Sequence, residues 1–379
     1  MKVAIVHDWI SKYGGAERVL NDIYECFPEA DIFTLVLDRE EIKNTALENA
    51  PFRTSFIQRL PFGLKYYRKY LMFFPLAIER IDLTGYDLII SSSHAVAKGV
   101  LTQPGQLHIS YCNNIMLYAW DQFHYYLKEE KLNNGIKGIL ANLFLHYIRN
   151  WDYGASRRPD YNISNSKYQA TRLKKIYGIE SDAVIYPPVD TEVFKMNDYK
   201  EDFYLVVARF VPWKMVDVIV KAFSQLPEKK LIVLGDGPES KKIKSFAAAN
   251  INFLGFVGSD IVNEYLGKAK ALISLSSEPF GISLVEAQAC GTPVISYFLG
   301  GAAEIIIPGK TGVFIRYQTE AALCEAILDF ERRIEDFDPI VISNHAKKFN
   351  RLRFKREFKV YVENKYNKFF KELIPNFQL

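Results

Sequence analysis

Two series of short apolar runs, each alternating with amphipathic segments and parted by the pair Pro187-Pro188, constrain this chain more than any other feature. Parallel sheets covered by helices read this way, because their strands are buried on both faces and their helices on one. In the first series the runs predict strands at 2–7, 31–37, 87–92, 107–112 and 161–164, with helices starting near Gly15, Leu64, Ile139 and Lys167. In the second they predict strands at 203–208, 231–234, 252–256, 271–275, 293–296 and 313–315. Helices start there near Val216, Glu239, Asp260 and Leu284, with others over 320–334 and over the basic, aromatic stretch 344–370. A Pro-Pro pair continues neither a helix nor a central strand, so it marks the entry to a linker. The expected fold class is therefore α/β: two doubly wound, Rossmann-like parallel-sheet domains facing a cleft, over 1–195 and 196–343, followed by a terminal helix within 344–379. Ligands of such sheets bind beyond the carboxyl ends of the strands, and the chemistry is expected there.

A chain of 379 residues is long for one core and suits two. Its 49% hydrophobic and 24% charged content is that of an ordinary globular protein, and a net charge of +4 argues against broad electrostatic binding of nucleic acid. Cys26, Cys112, Cys290 and Cys324 are scattered without a CxxC pair, which reads as four unlinked thiols in a reducing compartment. Met1-Lys2-Val3-Ala4-Ile5-Val6 runs straight into a strand pattern, without the apolar core and cleavage site of a secretory signal. No apolar run approaches the roughly 20 residues that span a bilayer. The expected location is the cytoplasm, or the inner face of the cytoplasmic membrane.

The most informative segment is Ser276-Ser277-Glu278-Pro279-Phe280-Gly281-Ile282-Ser283-Leu284-Val285-Glu286-Ala287. A buried strand precedes it, Pro279 and Gly281 enforce a loop, and Ser283 fits the N-cap of the helix that follows. A strand, a glycine-bearing loop and a helix N-terminus make an anion site, since unpaired N–H groups and the positive end of the dipole favour a diphosphate. Glu278 in the loop and Glu286 in the first turns of the helix can each accept hydrogen bonds from vicinal hydroxyls. The plainer alternative is one loop acid and one solvated helix acid. Upstream, Ala208-Arg209-Phe210-Val211-Pro212-Trp213-Lys214 sets two cations just past a strand. Arg209 as a fork and Lys214 as a point charge suit a departing diphosphate, although two surface cations would look the same. Gly235-Asp236-Gly237-Pro238 ends the next strand in a turn, and Leu254-Gly255-Phe256-Val257 either meets a nucleobase or is plain core.

These four segments, in their order along the chain, together with Gly14-Gly15-Ala16-Glu17, resemble the family-four glycosyltransferases of GT-B fold over nearly the whole chain. Two glutamates separated by seven residues are that family's signature. His7-Asp8-Trp9 and Tyr111-Cys112 are similar to the mannosyltransferases of O-antigen and capsule assembly, which use GDP-mannose. The resemblance implies that Glu278 meets the transferred sugar and Glu286 the ribose. It implies that Arg209 and Lys214 hold the diphosphate, while Phe256, Phe280, Gly281, Ile282, Ser283 and Leu284 line the donor. Gly14 and Gly15 would close over the diphosphate from the first domain, and the terminal helix would return to brace that domain. Retention at the anomeric carbon is also implied; with no carboxylate pair suited to double displacement in the sequence, a front-face attack in which the departing phosphate takes the acceptor's proton fits better.

One departure stands out. Where the family has a histidine after the fourth predicted strand, this chain has Asn113, which exchanges hydrogen bonds but cannot shuttle a proton near neutral pH. His94, after Ser91-Ser92-Ser93 at another strand end, is the expected substitute. His7 also ends a strand, and His108 inside a strand reads as structural. The motif Asp336-Phe337-Asp338 follows a helix and precedes a proline, so it reads as a helix end and turn; neither metal nor cofactor is expected.

The segment 59–74 interleaves Arg59, Lys65, Arg68 and Lys69 with aromatics, as in helices of a membrane interface, where Tyr67, Tyr70 and Phe74 would enter the acyl boundary; the alternative is an amphipathic helix packing its aromatic face onto the first domain. The expected partners are thus a nucleoside diphosphate sugar, a polyprenyl-diphosphate-linked glycan acceptor and a membrane surface, with no nucleic acid. Two rival readings share the donor cleft: a nucleotide-sugar epimerase of GT-B fold, and a nucleotide-sugar-binding protein that lost turnover with the histidine.

Overall fold

A computed structural model describes residues 1–129, 132, 134–197 and 199–373. Among the described residues thirteen strands form two sheets, and every pairing between named strands is parallel. The first sheet contains β1 (Val3–His7), β2 (Asp31–Thr34), β3 (Phe52–Thr54), β4 (Leu88–Ser93), β5 (Leu107–Cys112), β6 (Tyr161–Ser164) and β7 (Ala183–Val184), in the order β3-β2-β1-β4-β5-β6-β7. The second contains β8 (Tyr204–Val207), β9 (Leu231–Leu234), β10 (Ile251–Gly255), β11 (Ala271–Ser274), β12 (Val294–Tyr297) and β13 (Gly312–Ile315), in the order β10-β9-β8-β11-β12-β13. The strand order reverses between β1 and β4 in the first sheet and between β8 and β11 in the second. These are the topological switch points at which doubly wound sheets bind ligands.

The chain divides into two units, one of residues 1–186 together with the chain from Phe354 on, the other Pro187–Arg353. In the first unit, Ile5, Ile90, Ile109 and Tyr111 face a core completed by Leu20 and Ile23 of the helix Gly15–Cys26. Phe354, Phe358 and Val362 of the helix Arg351–Leu373 are fully buried in that same core. Their spacing of four gives that helix one apolar face. In the second unit, Tyr204, Val206, Leu231, Val233 and Ile273 pack with Phe223 and Phe330 from the helices Val216–Ser224 and Glu320–Arg332.

Three expectations need correction. The short strands β3 and β7 carry too few apolar residues to stand out in the sequence. The predicted helix over 344–370 begins only at Arg351, because Asn350 is extended and a separate helix, Pro339–Ala346, precedes it. Nor is 59–74 one amphipathic helix. It is the short turns Phe56–Arg59, Gly63–Tyr66 and Tyr67–Phe73 followed by the helix Phe74–Glu79, interrupted by left-handed Phe62 and by non-helical Tyr70. Tyr67 and Phe74 are core residues, and Tyr70 donates to the Pro61 carbonyl at 2.9 Å. The large apolar residues that remain exposed in this stretch and the helix after it are Phe62, Tyr66, Met72, Phe73 and Leu76. Asp336 and Asp338 do end and begin elements: Asp338 caps the Pro339–Ala346 helix by accepting from Ile340 N at 2.8 Å. All four cysteines are free thiols.

Candidate active site

At the switch point of the second sheet, the loops after β8 and β11 carry opposite charges. Beyond β8 the chain turns through Pro212–Lys214, and Met215 then adopts φ 54°, ψ 34° to open the helix Val216–Ser224. A non-glycine residue in the left-handed region is uncommon, and this one fixes where Lys214 leaves the backbone. Lys214 Nζ lies 2.5 Å from Glu278 Oε1, which also accepts from Ser276 Oγ at 2.9 Å. Burial would raise the Glu278 pKa, but the adjacent ammonium and the hydroxyl outweigh it and hold the carboxyl below its usual range. Glu278 is thus ionised and paired.

The loop that bears Glu278 is pinned from below by a feature the sequence reading passed over. Gly300 and Gly301, just past β12, lie against its backbone, and Gly301 N donates to the Glu278 carbonyl at 2.8 Å. A Cβ on Gly301 would stand 2.0 Å from the Phe280 carbonyl oxygen, and one on Gly300, whose φ is +96°, 2.6 Å from that of Glu278. The visible signal was the pair itself at a strand end.

The following helix, Ile282–Ala289, starts two residues earlier than expected. Its N-cap is Gly281 at φ 104°, so Ser283 lies within the first turn rather than capping it. Ser283 and Leu284 still belong to the turn whose N–H groups lack intrahelical acceptors, although Leu284 N is taken by the Gly281 carbonyl at 3.0 Å. Phe280 and Leu284 are buried, Ile282 and Ser283 half-buried, and Glu286 is only 6% exposed inside the helix. The solvated-acid alternative therefore fails for Glu286. Arg209 is exposed just past β8, beside the Gly235–Gly237 turn, where Phe210 N donates to the Asp236 carbonyl. Asp236 is a turn residue: its carboxylate accepts from Gly237 N at 2.8 Å. Phe256, at the end of β10, is 84% exposed.

The first sheet has its own cluster at its switch point. Asp8, immediately after β1, is fully buried and accepts four backbone N–H groups from the turn after β4: His94 (2.6 Å), Ala95 (3.1 Å), Val96 (2.5 Å) and Ala97 (2.7 Å). Burial alone would raise the Asp8 pKa; His94, His7 and these N–H groups lower it below the usual value. The side chain of His94 is 20% exposed, with Nδ1 3.1 Å from Asp8 Oδ2. Its pKa is depressed because burial outweighs the attraction of Asp8, so the ring is neutral near pH 7. Trp9 meets it edge-on, with ring centroids 4.5 Å apart.

His7 Nε2 lies 3.7 Å from Glu17 Oε1. Glu17 Oε2 accepts from Gly14 N at 2.9 Å, the glutamate half of a capping box for the helix Gly15–Cys26. Behind this cluster, Asp152 is fully buried between Lys98 Nζ (2.6 Å), Trp120 Nε1 (2.7 Å) and Tyr177 OH (2.6 Å), and so braces the turn that carries His94. Asn113 is buried at the end of β5 and donates to Ser92 Oγ at 2.9 Å. His108 is buried beside Ser91 at 2.9 Å, and burial depresses its pKa to about 3. Asp8, Glu17 and Asp152 went unnoticed as site residues, since nothing in their spacing ties them to His94.

Two parallel α/β units with polar clusters at both switch points define a GT-B architecture. The family model of glycosyl transferases group 1 matches residues 190–336, and that of Glycosyltransferase Family 4 matches residues 13–193. An uncharacterized glycosyltransferase of Methanocaldococcus jannaschii is 28% identical over 87% of this chain and 88% of its own length. A D-inositol 3-phosphate glycosyltransferase of Catenulispora acidiphila is 26% identical over 50% of this chain and 52% of its own. Among solved structures, Anabaena HepE in complex with UDP matches in fold with a TM-score of 0.69 at 18% identity, over 96% of this chain and 100% of that one. The same protein has been solved with UDP-glucose, and it matches with a TM-score of 0.68. This protein is a family-four-like glycosyltransferase of GT-B fold.

Proposed function

We propose that the chain is a retaining hexosyltransferase. It takes a sugar from a nucleoside diphosphate sugar, with GDP-mannose as the expected donor, and passes it to a lipid-linked or polysaccharide glycan in cell-surface polysaccharide assembly. One observation carries the reading: the Lys214–Glu278 pair at the switch point of the second sheet, on a loop held by Gly300 and Gly301. When the donor's diphosphate arrives, Lys214 exchanges its carboxylate partner for phosphate oxygens. That exchange releases Glu278 to accept hydrogen bonds from the sugar hydroxyls. Glu286 accepts from the ribose, and Phe256 offers its exposed ring to the base.

As the glycosidic bond breaks, negative charge grows on the diphosphate. Lys214, Arg209 and the first-turn N–H groups near Ser283 stabilise it, and losing one such preorganised donor typically costs about 10²–10³ in rate. Because Glu278 is then committed to the sugar hydroxyls, a front-face route, in which the leaving phosphate takes the acceptor's proton, fits better than a covalent intermediate. In the first unit, neutral His94, oriented beside Asp8, and Asn113 serve the acceptor side and the transferred sugar.

The similarity of HepE, solved with UDP and UDP-glucose, supports testing a second donor class. The protein is incubated with GDP-mannose or UDP-glucose and a polyprenyl-diphosphate-linked glycan, and the anomeric configuration of the product is read by NMR. Acceptor-dependent transfer from GDP-mannose with retention, reduced about 10²–10³-fold by Lys214→Ala, is the expected result. Transfer from UDP-glucose alone would overturn the donor. Free epimer without transfer would overturn the reaction, and nucleotide binding without either would leave a binding protein.

A further inference from the structure

The helix Gly135–Ala155 is apolar on two opposite faces. One face carries Gly138, Leu145, Ile148, Asp152 and Ala155 into the interior. The other carries Ile136, Ile139, Leu140, Leu143 and Tyr147, a single stripe at i, i+3, i+4, i+7 and i+11, and these side chains are 53–77% exposed. A helix packed on one side of a water-soluble core normally turns polar residues outward. Five adjacent large apolar side chains exceed the scattered exposure that needs no explanation.

A second exposed apolar group belongs to the same unit. Phe62 (73%), Met72 (57%), Phe73 (41%) and Leu76 (49%) project from the turns and helix of 62–79. The two segments contribute to one core cluster, with Phe144, Ile148 and Trp151 from one and Tyr67, Leu71 and Phe74 from the other. Trp151 Nε1 also donates to Glu79 Oε1 at 2.7 Å. Charge selects the occupant. Between residues 59 and 78 there are Arg59, Lys65, Arg68 and Lys69 and no acid; between 134 and 151 there are Lys137 and Arg149 and again no acid. Lys65 and Lys69 stand over the exposed Tyr66 ring, at 5.2 and 4.5 Å from its centroid.

We infer that the exposed face of the helix Gly135–Ala155, with the apolar tips of 62–76, is a docking surface for an anionic lipid bilayer. Leu and Ile side chains enter the boundary of the acyl chains while the cations meet the headgroups. The helix lies in the interface and does not cross it: no helix among the described residues is long and apolar enough to span a membrane. A protein partner or a second copy of the chain would bury the same apolar stripe, but an acid-free rim of cations matches an anionic headgroup layer better than a copy of itself. This inference stands independently of which sugar is transferred.

The test uses the full chain and vesicles of phosphatidylglycerol and phosphatidylcholine in equal parts, beside vesicles of phosphatidylcholine alone. Co-sedimentation is measured at low and at high salt. The parent is expected to bind the anionic vesicles and to weaken as salt rises. Leu140→Ser with Leu143→Ser should lower the partition coefficient by roughly tenfold or more. Lys65→Ser with Lys69→Ser should lower it about fivefold per cation at low salt, with little effect at high salt. Unchanged melting curves and nucleotide affinity show that both variants are folded. Equal sedimentation of parent and variants overturns the inference. So does a parent that ignores vesicles and sediments as a dimer which Leu140→Ser with Leu143→Ser dissociates, since the occupant is then a second copy.

Discussion

At the scale of single residues, the two switch points solve the cost of buried charge differently. Lys214 and Glu278 neutralise each other at 2.5 Å, a pairing that a ligand can open. Asp8 has no lysine or arginine against it; four backbone N–H groups satisfy it, with the His94 ring beside them. Removing that carboxylate strands several buried donors, each costing about 1–3 kcal/mol if unsatisfied. Asp8→Asn, which turns one acceptor into a donor facing donors, should destabilise the protein by about 3 kcal/mol near neutral pH. Its pH dependence follows from the depressed pKa. The stabilisation by ionised Asp8 is fully present above its usual value of 3.8 and is lost as pH falls through the lower folded value. Urea titrations of parent and variant should therefore differ constantly at neutral pH and converge only in strong acid. A gap that closes already between pH 7 and 5 would contradict this assignment.

At the scale of elements, the donor loop depends on a neighbour that touches no ligand in the proposed reading. The backbone of Glu278–Phe280 rests on Gly300 and Gly301 without room for a Cβ. Gly301→Ala must push the loop away, because the obstacle is the Phe280 main chain and not the tip of a flexible side chain. Affinity for the nucleotide sugar should fall roughly tenfold, equivalent to about 1.4 kcal/mol. Gly258→Ala serves as the comparison. It lies in the same unit at φ −69°, with nothing within 4 Å of the added methyl, and should bind normally by calorimetry. Equal affinity in both variants would free the loop from its support and weaken the case for a preformed donor site.

At the scale of the whole molecule, the chain visits the first unit twice. The last helix inserts Phe354 and Phe358 beside Tyr111, with ring centroids 5.7 and 6.1 Å from it. The first unit is therefore complete only when the end of the chain has folded onto it. Phe358→Ala removes a fully buried ring, and a change of this kind costs about 3–5 kcal/mol. Calorimetry should show a transition that moves down in the variant, while nucleotide added to protect the second unit leaves that shift unchanged. A shift abolished by nucleotide would mean that the two units unfold as one.

The alternation of apolar runs, the break at Pro187-Pro188 and the segment from Ser276 to Ala287 were enough to predict two parallel α/β units and a polar site in the second. Each of these is local, since period, turn residues and helix start lie within a few positions of one another. Strand order was not local. Only the paired sheets put β1 beside β4 and β8 beside β11, and so made switch points of the ends of those strands. For the same reason the sequence singled out His94 without Asp8, 86 positions away, and Glu278 without the glycines beneath it. The segment 59–74 failed in another way: its composition was amphipathic, but the left-handed Phe62 and the non-helical Tyr70 broke the helix on which the predicted face depended. Which aromatics faced outward was then settled by packing against the first unit, because a side chain's burial is fixed by neighbours that the sequence does not place next to it.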